Sequence, residues 1–354
     1  MPQDASEPGD GKKFRKIKLA VQLLILTLVA IGIWRTVVKA LADLDREGFA
    51  LGQIRLGWLV AAAVVYLLGM APCWLFWHRT LHAMGQRPHW LESLRAFYIG
   101  HLGKYVPGKA LVVVLRTGLV RGTRVDTTTA AISVFVETLT MMAVGASVAA
   151  GVLAVLFHDQ LAMLLLALTC MIGAGAPTAP PVFRRLVRLV GTRKFNPDID
   201  RSLAGVDYRL LLFGWAANIP GWALMGVSLW LALRAIPTLT AVPVTWEHWP
   251  LVTATVALAI VAGFASLLPG GLGARELVLM TLLAPTFGHG AAVVSAIALR
   301  LAWLAAELVL AAILYFAKPA RDGADEPAGR ERAAPRGPAE AGDGQPPAYA
   351  ADGD

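Results

Sequence analysis

The stretch LGWLVAAAVVYLLGMAPCWLFW, residues 56–77, contains no charged side chain and decides the fold class of the chain. An α-helix rises about 1.5 Å per residue, so about 20 apolar residues cross the hydrocarbon core of a bilayer. Residues 210–233 and 250–274 are also uncharged, and residues 277–299 hold only His289 as a titratable group. A helix of a soluble protein needs a polar face, and these runs have none. The sequence therefore predicts an all-α polytopic membrane protein.

The overall composition supports this prediction. Of the 354 residues, 56% are hydrophobic and only 16% are charged, against about 25% charged in ordinary soluble domains. The first apolar run is preceded by basic residues, and Ala40-Leu41-Ala42 resembles a signal-peptide cleavage site. We favour a membrane span there, because a multispanning chain carries its own insertion signals. The eight predicted spans are 17–38, 56–77, 127–157, 161–176, 210–233, 250–268, 275–297 and 299–317.

The distribution of charge predicts the domain organisation and the orientation. Residues 1–16 form a basic N-terminus, 17–317 the membrane domain, and 318–354 a tail rich in Ala, Gly, Pro and charged residues that we expect to be disordered. Basic residues cluster at 12–18, 79–95 and 184–201, which the positive-inside rule places in the cytoplasm. With an even number of spans, both termini would be cytoplasmic. We expect the protein in a bacterial cytoplasmic (inner) membrane.

The positive net charge points to lipid rather than to nucleic acid. The chain carries a formal charge of +8, spread over the predicted cytoplasmic loops, which suits the surface of anionic lipids. Tryptophans at the predicted span ends are typical of a membrane-interface belt. Cys73 and Cys170 fall inside predicted spans, so we expect no disulfide framework.

One interrupted segment is YIGHLGKYVPGKALVVVLR, residues 98–116. Its three glycines and one proline break helical hydrogen bonding, which lipid does not tolerate unless protein or water covers the backbone. Residues 110–115 are nevertheless fully apolar, and Lys109 and Arg116 share a helical face. Two interpretations remain open: a re-entrant hairpin from the cytoplasmic side, or an amphipathic helix at the interface whose lysines reach toward water.

A second interruption is LPGGLGARE, residues 268–276. Pro269 ends the preceding helix, and the glycines allow a sharp turn before a helix restarts near Arg275 and Glu276. Two Pro-Gly breaks in separate halves of a membrane protein indicate a substrate site built from discontinuous helices. An ordinary loop between two spans is the alternative.

Three ionisable residues, Glu137, Arg300 and Glu307, lie inside predicted spans. Each would cost about 2.5–3.5 kcal/mol if it faced lipid, so each should turn inward and find a partner. Arg300 and Glu307 are seven residues apart and fall on one face of the last helix. The pattern does not separate a structural role from a functional one.

Signatures of other chemistry are absent from the sequence. There is no GxxxxGK[ST] loop for ATP and no HExxH metal motif. His78 and His82 have helical spacing but no third ligand nearby. We therefore expect no metal, no cofactor and no nucleic acid, and any transport would be downhill or coupled to an ion.

Taken together, the interrupted motifs resemble the transmembrane, flippase-like domain of lysylphosphatidylglycerol synthases. The resemblance is carried by GKYVPGK (103–109), Glu137, LPGGLGARE (268–276) and Arg300, and extends over about 15–317. Glu307 has no counterpart in it. In the fused synthases an aminoacyl-transferase domain follows, whereas only the polar tail follows here. The resemblance therefore implies lipid handling without lipid aminoacylation.

We expect the protein to bind an anionic lipid headgroup and to move the lipid between leaflets. A membrane-embedded transferase acting on a lipid-linked substrate is one alternative, and a scaffold for a lipid or envelope synthesis complex is another. A homo-oligomer or a lipid-synthesis enzyme would be the protein partner. The predicted headgroup-binding residues are Lys104, Tyr105, Lys109, Arg116 and Arg275. The residues predicted to shape or couple the site are Pro107, Gly108, Glu137, Pro269, Gly270, Gly271, Gly273, Glu276 and Arg300.

Overall fold

A computed structural model describes residues 10–46, 51–106, 110–120, 124–156, 158, 161–189, 196–266 and 273–317. These residues are helical for most of their length, contain no β-strand and belong to one compact unit. The polar tail predicted to be disordered lies outside the described residues.

Twelve α-helices form the described part of the chain. A 3₁₀ turn, Leu102–Tyr105, follows the third. In chain order they are α1 Asp10–Arg46, α2 Leu56–Ala83, α3 Trp90–His101, α4 Ala110–Val120, α5 Thr127–Leu156, α6 Leu161–Gly175, α7 Pro180–Leu189, α8 Ile199–Ala204, α9 Tyr208–Arg234, α10 Trp249–Ala265, α11 Ala274–Phe287 and α12 His289–Phe316.

Five helices in the described residues are long and apolar enough to cross a membrane. This confirms the prediction of an all-α membrane protein. It does not confirm eight spans, because α1, α6 and α11, which hold 17–38, 161–175 and the first half of 275–297, are not among the five. The five are α2, α5, α9, α10 with its preceding turn (Trp246–Ala265), and α12.

The predicted boundary between the last two spans is wrong. The chain breaks at Gly288, whose φ of 92° is readily adopted only by glycine, and not near residue 298. The prediction missed this break because Gly288 and Gly290 are embedded in an otherwise apolar run. As a result, Arg300 and Glu307 lie in the middle of a single 28-residue helix, α12.

Helices α3 and α4 form an antiparallel hairpin. Gly100 lies against Arg116 and Gly103 against Val112, and a Cβ atom at Gly103 would come 2.7 Å from the Val112 backbone nitrogen. At about 18 and 16 Å, the two helices are each too short to cross a bilayer.

The tip of this hairpin reaches into the helix bundle. Near its base, Arg95 Nε donates to the Leu314 carbonyl at 2.7 Å, whereas Lys104 at its tip contacts Glu307. Leu314 and Glu307 are seven residues apart on α12, so the tip lies about 10 Å further along that helix than the base. The tip of the hairpin therefore packs against the middle of α12.

Helices α10 and α11 pack against each other as a second hairpin. The His248 and Phe287 rings, at the open ends of the two helices, lie 5.0 Å apart. The connection between the helices, 267–272, lies outside the described residues, and so do Pro269, Gly270 and Gly271. Gly273 has a φ of 85° and directly precedes α11.

The two ends of the bundle differ in chemistry. One end carries a cluster of tryptophans, in which the Trp246 and Trp249 rings stack at 5.4 Å and the Arg234 guanidinium lies 4.7 Å from the Trp58 ring. The opposite end is rich in arginine and carries the start of α5, where Asp126 accepts hydrogen bonds from Thr129 and Asn196. Burial raises the pKa of Asp126, but these hydrogen bonds outweigh it and hold the pKa below its usual value.

Candidate functional site

A cavity of about 400 Å³ lies among α2, α3, α4, α5, α9, α10, α11 and α12. Its volume is within the range of pockets that bind small molecules. Most of its wall is apolar and includes Met70, Phe135, Met141, Met142, Met225 and Phe264. Such a wall suits a ligand with hydrocarbon character.

Basic side chains from both hairpins reach this cavity. His101, Lys104 and Arg116 come from the first hairpin, and Arg275 comes from the start of α11. Lys104 precedes the first Pro-Gly break in the sequence, and Arg275 follows the second. Both side chains line this cavity. Pro107, Gly108 and Lys109 lie outside the described residues.

Arg116 is matched by a protein carboxylate. Its Nη1 donates to Glu137 Oε2 at 2.7 Å, and the two side chains are only 3% and 2% exposed. The Arg116 guanidinium also lies 4.2 Å from the Phe97 ring centroid, within cation–π range. The pair thereby ties the first hairpin to the middle of α5.

Arg300 is matched in the same way by Glu276. Arg300 Nη1 donates to Glu276 Oε1 at 2.5 Å, and the other Glu276 oxygen accepts from the Gly273 backbone N–H at 2.7 Å. The second contact satisfies a backbone donor at the first turn of α11. Glu276 therefore fixes the start of α11 against the middle of α12.

Glu307 is the centre of a polar cluster to which the sequence analysis assigned no role. Its Oε1 accepts from the Tyr66 hydroxyl and from Lys104 Nζ, the latter at 2.5 Å, and its Oε2 accepts from the Tyr105 hydroxyl at 3.0 Å. The side chain is 2% exposed. Its isolation in an apolar helix marked it as unusual, but its partners come from α2 and from the hairpin tip.

Arg275 differs from the other cations of the cavity. Its guanidinium lies 4.6 Å from the Trp303 ring, which stacks on the Tyr66 ring at 4.1 Å. Within the described residues Arg275 forms no ion pair, whereas Arg116 and Arg300 do. Its Nη2 is buried without a hydrogen-bond partner, as are Arg300 Nη2 and Arg116 Nε. A cation in this setting calls for an anion from outside the described protein.

The charges around the cavity leave one positive charge over. Three acids of the described residues, Glu137, Glu276 and Glu307, pair with Arg116, Arg300 and Lys104 in that order. Arg275 then has no ion-pair partner of its own among the described residues.

Fold and site together define a helical membrane protein with a charged internal cavity formed at two broken helix hairpins. The chain belongs to the family described as the lysylphosphatidylglycerol synthase TM region, whose sequence model matches residues 17–314. The resemblance found in the motifs is thus confirmed. No curated protein matches the chain.

Proposed function

We propose that the protein binds the anionic headgroup of a membrane lipid in this cavity and moves the lipid between leaflets. The observation that carries the proposal is the guanidinium of Arg275, which lines a largely apolar cavity and has no ion-pair partner among the described residues. A cation inside a membrane protein is costly unless it is paired, so such residues commonly mark a substrate pathway. The family membership agrees with a lipid as the substrate class.

The chemistry of the cavity fits an amphiphile better than a soluble anion. A guanidinium donates two parallel hydrogen bonds to phosphate, which gives orientation as well as affinity. The methionines and phenylalanines of the wall would accommodate the glycerol and the first acyl carbons.

This assigns different tasks to the basic residues. Arg275 contacts the phosphate, and Lys104 joins it when released from Glu307. Arg116 and Arg300, whose charges are already matched by acids, brace the hairpins against α5 and α12. Lys109 remains a candidate headgroup ligand next to the first break.

We place the arginine-rich end of the bundle in the cytoplasm, in accordance with the positive-inside rule. The α3–α4 hairpin then enters from the cytoplasmic side and the α10–α11 hairpin from the opposite side of a bacterial inner membrane. The described inner ends of both hairpins border one cavity.

Both termini are expected in the cytoplasm. Because α10 and α11 form a hairpin, they add either two membrane spans or none. The predicted number of spans is even in both cases, so the C-terminus is expected on the same side as the N-terminus. A fluorescent protein that folds only in the cytoplasm should be bright when fused after Lys318, and alkaline phosphatase fused there should be inactive. The opposite pattern would overturn the orientation.

Sealed vesicles provide the test of the proposed function. We expect the purified protein to carry fluorescent phosphatidylglycerol from the inner to the outer leaflet, where dithionite quenches it, so that quenching exceeds that in protein-free vesicles. A membrane-embedded transferase would instead modify its lipid in detergent, without a bilayer. Quenching equal to that of protein-free vesicles would refute the proposal.

A further inference from the structure

We propose that Glu307 is a proton-binding site that couples lipid movement to a proton gradient: it takes up one proton when an anionic headgroup draws Lys104 away from it. The inference rests on the proposed function and adds its driving force. The inference starts from one contact: the buried carboxylate of Glu307 is paired with Lys104, and Lys104 also lines the proposed lipid cavity.

Lys104 belongs to two environments at once. Its ammonium is paired with Glu307, yet its side chain lines the cavity and is 24% exposed, against 2% for Glu307. Lys104 also lies in the short 3₁₀ turn at the hairpin tip, which is joined to α4 through a Pro-Gly sequence. A headgroup bound at Arg275 would therefore compete with Glu307 for Lys104.

If the Lys104 ammonium moved away, Glu307 would be left as an unpaired charge in a buried site. This is strongly unfavourable unless the charge is removed. Protonation removes it. The two tyrosine hydroxyls that donate to the carboxylate can accept as well as donate, so the cluster remains hydrogen-bonded after Glu307 is protonated.

His101 supplies a route for the proton. Its ring lines the cavity, is 19% exposed, and places Nε2 3.7 Å from Glu307 Oε1 and 3.0 Å from Lys104 Nζ. An imidazole accepts a proton at one nitrogen and releases one from the other, so it can relay a proton from the cavity to the carboxylate.

The titratable and charged side chains near Glu307 come from several of the described elements that contact α12. Tyr66 comes from α2, His101 from α3, and Lys104 and Tyr105 from the hairpin tip. Two further cations lie close: Arg275 at the start of α11, and Arg300 of α12, which is held by Glu276. In the described parts of α1 and α9, no ion pair joins an ionisable side chain to Glu307.

Linkage fixes the sign of the coupling. If headgroup binding promotes protonation of Glu307, protonation promotes headgroup binding by the same factor. Affinity for the anionic lipid therefore rises as pH falls, by up to about tenfold per pH unit for one proton. Proton and lipid anion occupy the site together, so an inward proton gradient drives lipid from the outer to the cytoplasmic leaflet.

The test compares the wild-type protein with Glu307→Gln, because glutamine mimics the protonated carboxyl group. In vesicles of phosphatidylcholine with fluorescent phosphatidylglycerol, an imposed pH gradient should bias wild-type lipid movement, and reversal of the gradient should reverse the bias. Glu307→Gln should still move lipid, without any bias. The exposed acid of Glu247 gives a matched control, since Glu247→Gln should retain the wild-type bias.

A second readout does not depend on transport. When phosphatidylglycerol is added to the wild-type protein in unbuffered detergent solution, the protein should take up one proton per lipid bound. The Glu307→Gln variant should take up none. The coupling would be overturned if the wild-type protein moved lipid without any bias from the pH gradient and took up no proton on binding. The proposed function would then still hold. Absence of wild-type lipid movement in any gradient would overturn both.

Discussion

Replacing Arg275 with glutamine is expected to reduce the movement of anionic lipid at least tenfold and to leave the fold intact. A hydrogen bond between charged groups contributes about 1.5–3 kcal/mol, which corresponds to a loss of about ten- to a hundredfold in headgroup affinity. No described acid pairs with Arg275, so the substitution strands no carboxylate, and the thermal unfolding temperature should stay the same or rise slightly.

The measurement needs both quantities from the same preparation: lipid movement in vesicles and thermal unfolding in detergent. Arg185→Gln is the matched control, because Arg185 is an exposed arginine at the opposite, arginine-rich end. It should behave as wild type in both assays. If Arg275→Gln loses stability together with transport, Arg275 serves the structure; if it keeps wild-type transport, the phosphate assignment fails.

The largest loss of stability is expected from Arg116→Gln. This change leaves Glu137 buried without its partner, and breaking a buried ion pair in this way costs about 3–5 kcal/mol. A large fall in the thermal unfolding temperature, relative to Arg185→Gln, would show it.

The double variant Arg116→Leu with Glu137→Leu isolates the cause. It removes both charges, so it should recover much of the stability that Arg116→Gln loses. An equal or greater loss in the double variant would mean that the pair stabilises the fold beyond its own charge balance. A wild-type unfolding temperature for Arg116→Gln would contradict the assignment of Arg116 as a brace.

The elements that the sequence predicted well are those set by local composition. Runs such as 56–77 and 210–233 became α2 and α9, because a charge-free stretch of that length has few structures available to it in a bilayer. The residues beside the two Pro-Gly breaks, Lys104 and Arg275, do border one cavity. In both cases a local chemical constraint was sufficient.

Features that depend on tertiary packing could not be predicted. The spacing of Arg300 and Glu307 permitted a pair on one helix, yet each takes its partner from another element, Glu276 of α11 and Lys104 of the hairpin tip. Likewise, Arg116 was expected to hold phosphate, and only the packing of α4 on α5 shows that Glu137 matches its charge. Helical periodicity shows which residues share one face of a helix, but it does not show which residues pack against that face.

Photo-crosslinking with a phosphatidylglycerol that carries a photoreactive group on its headgroup tests the central claim most directly. After irradiation in vesicles and peptide mapping, we predict adducts on cavity residues such as Met142 and Phe264, and their loss in Arg275→Gln. Adducts confined to outward-facing residues such as Leu212 and Val309, unchanged in Arg275→Gln, would contradict a headgroup site inside the bundle.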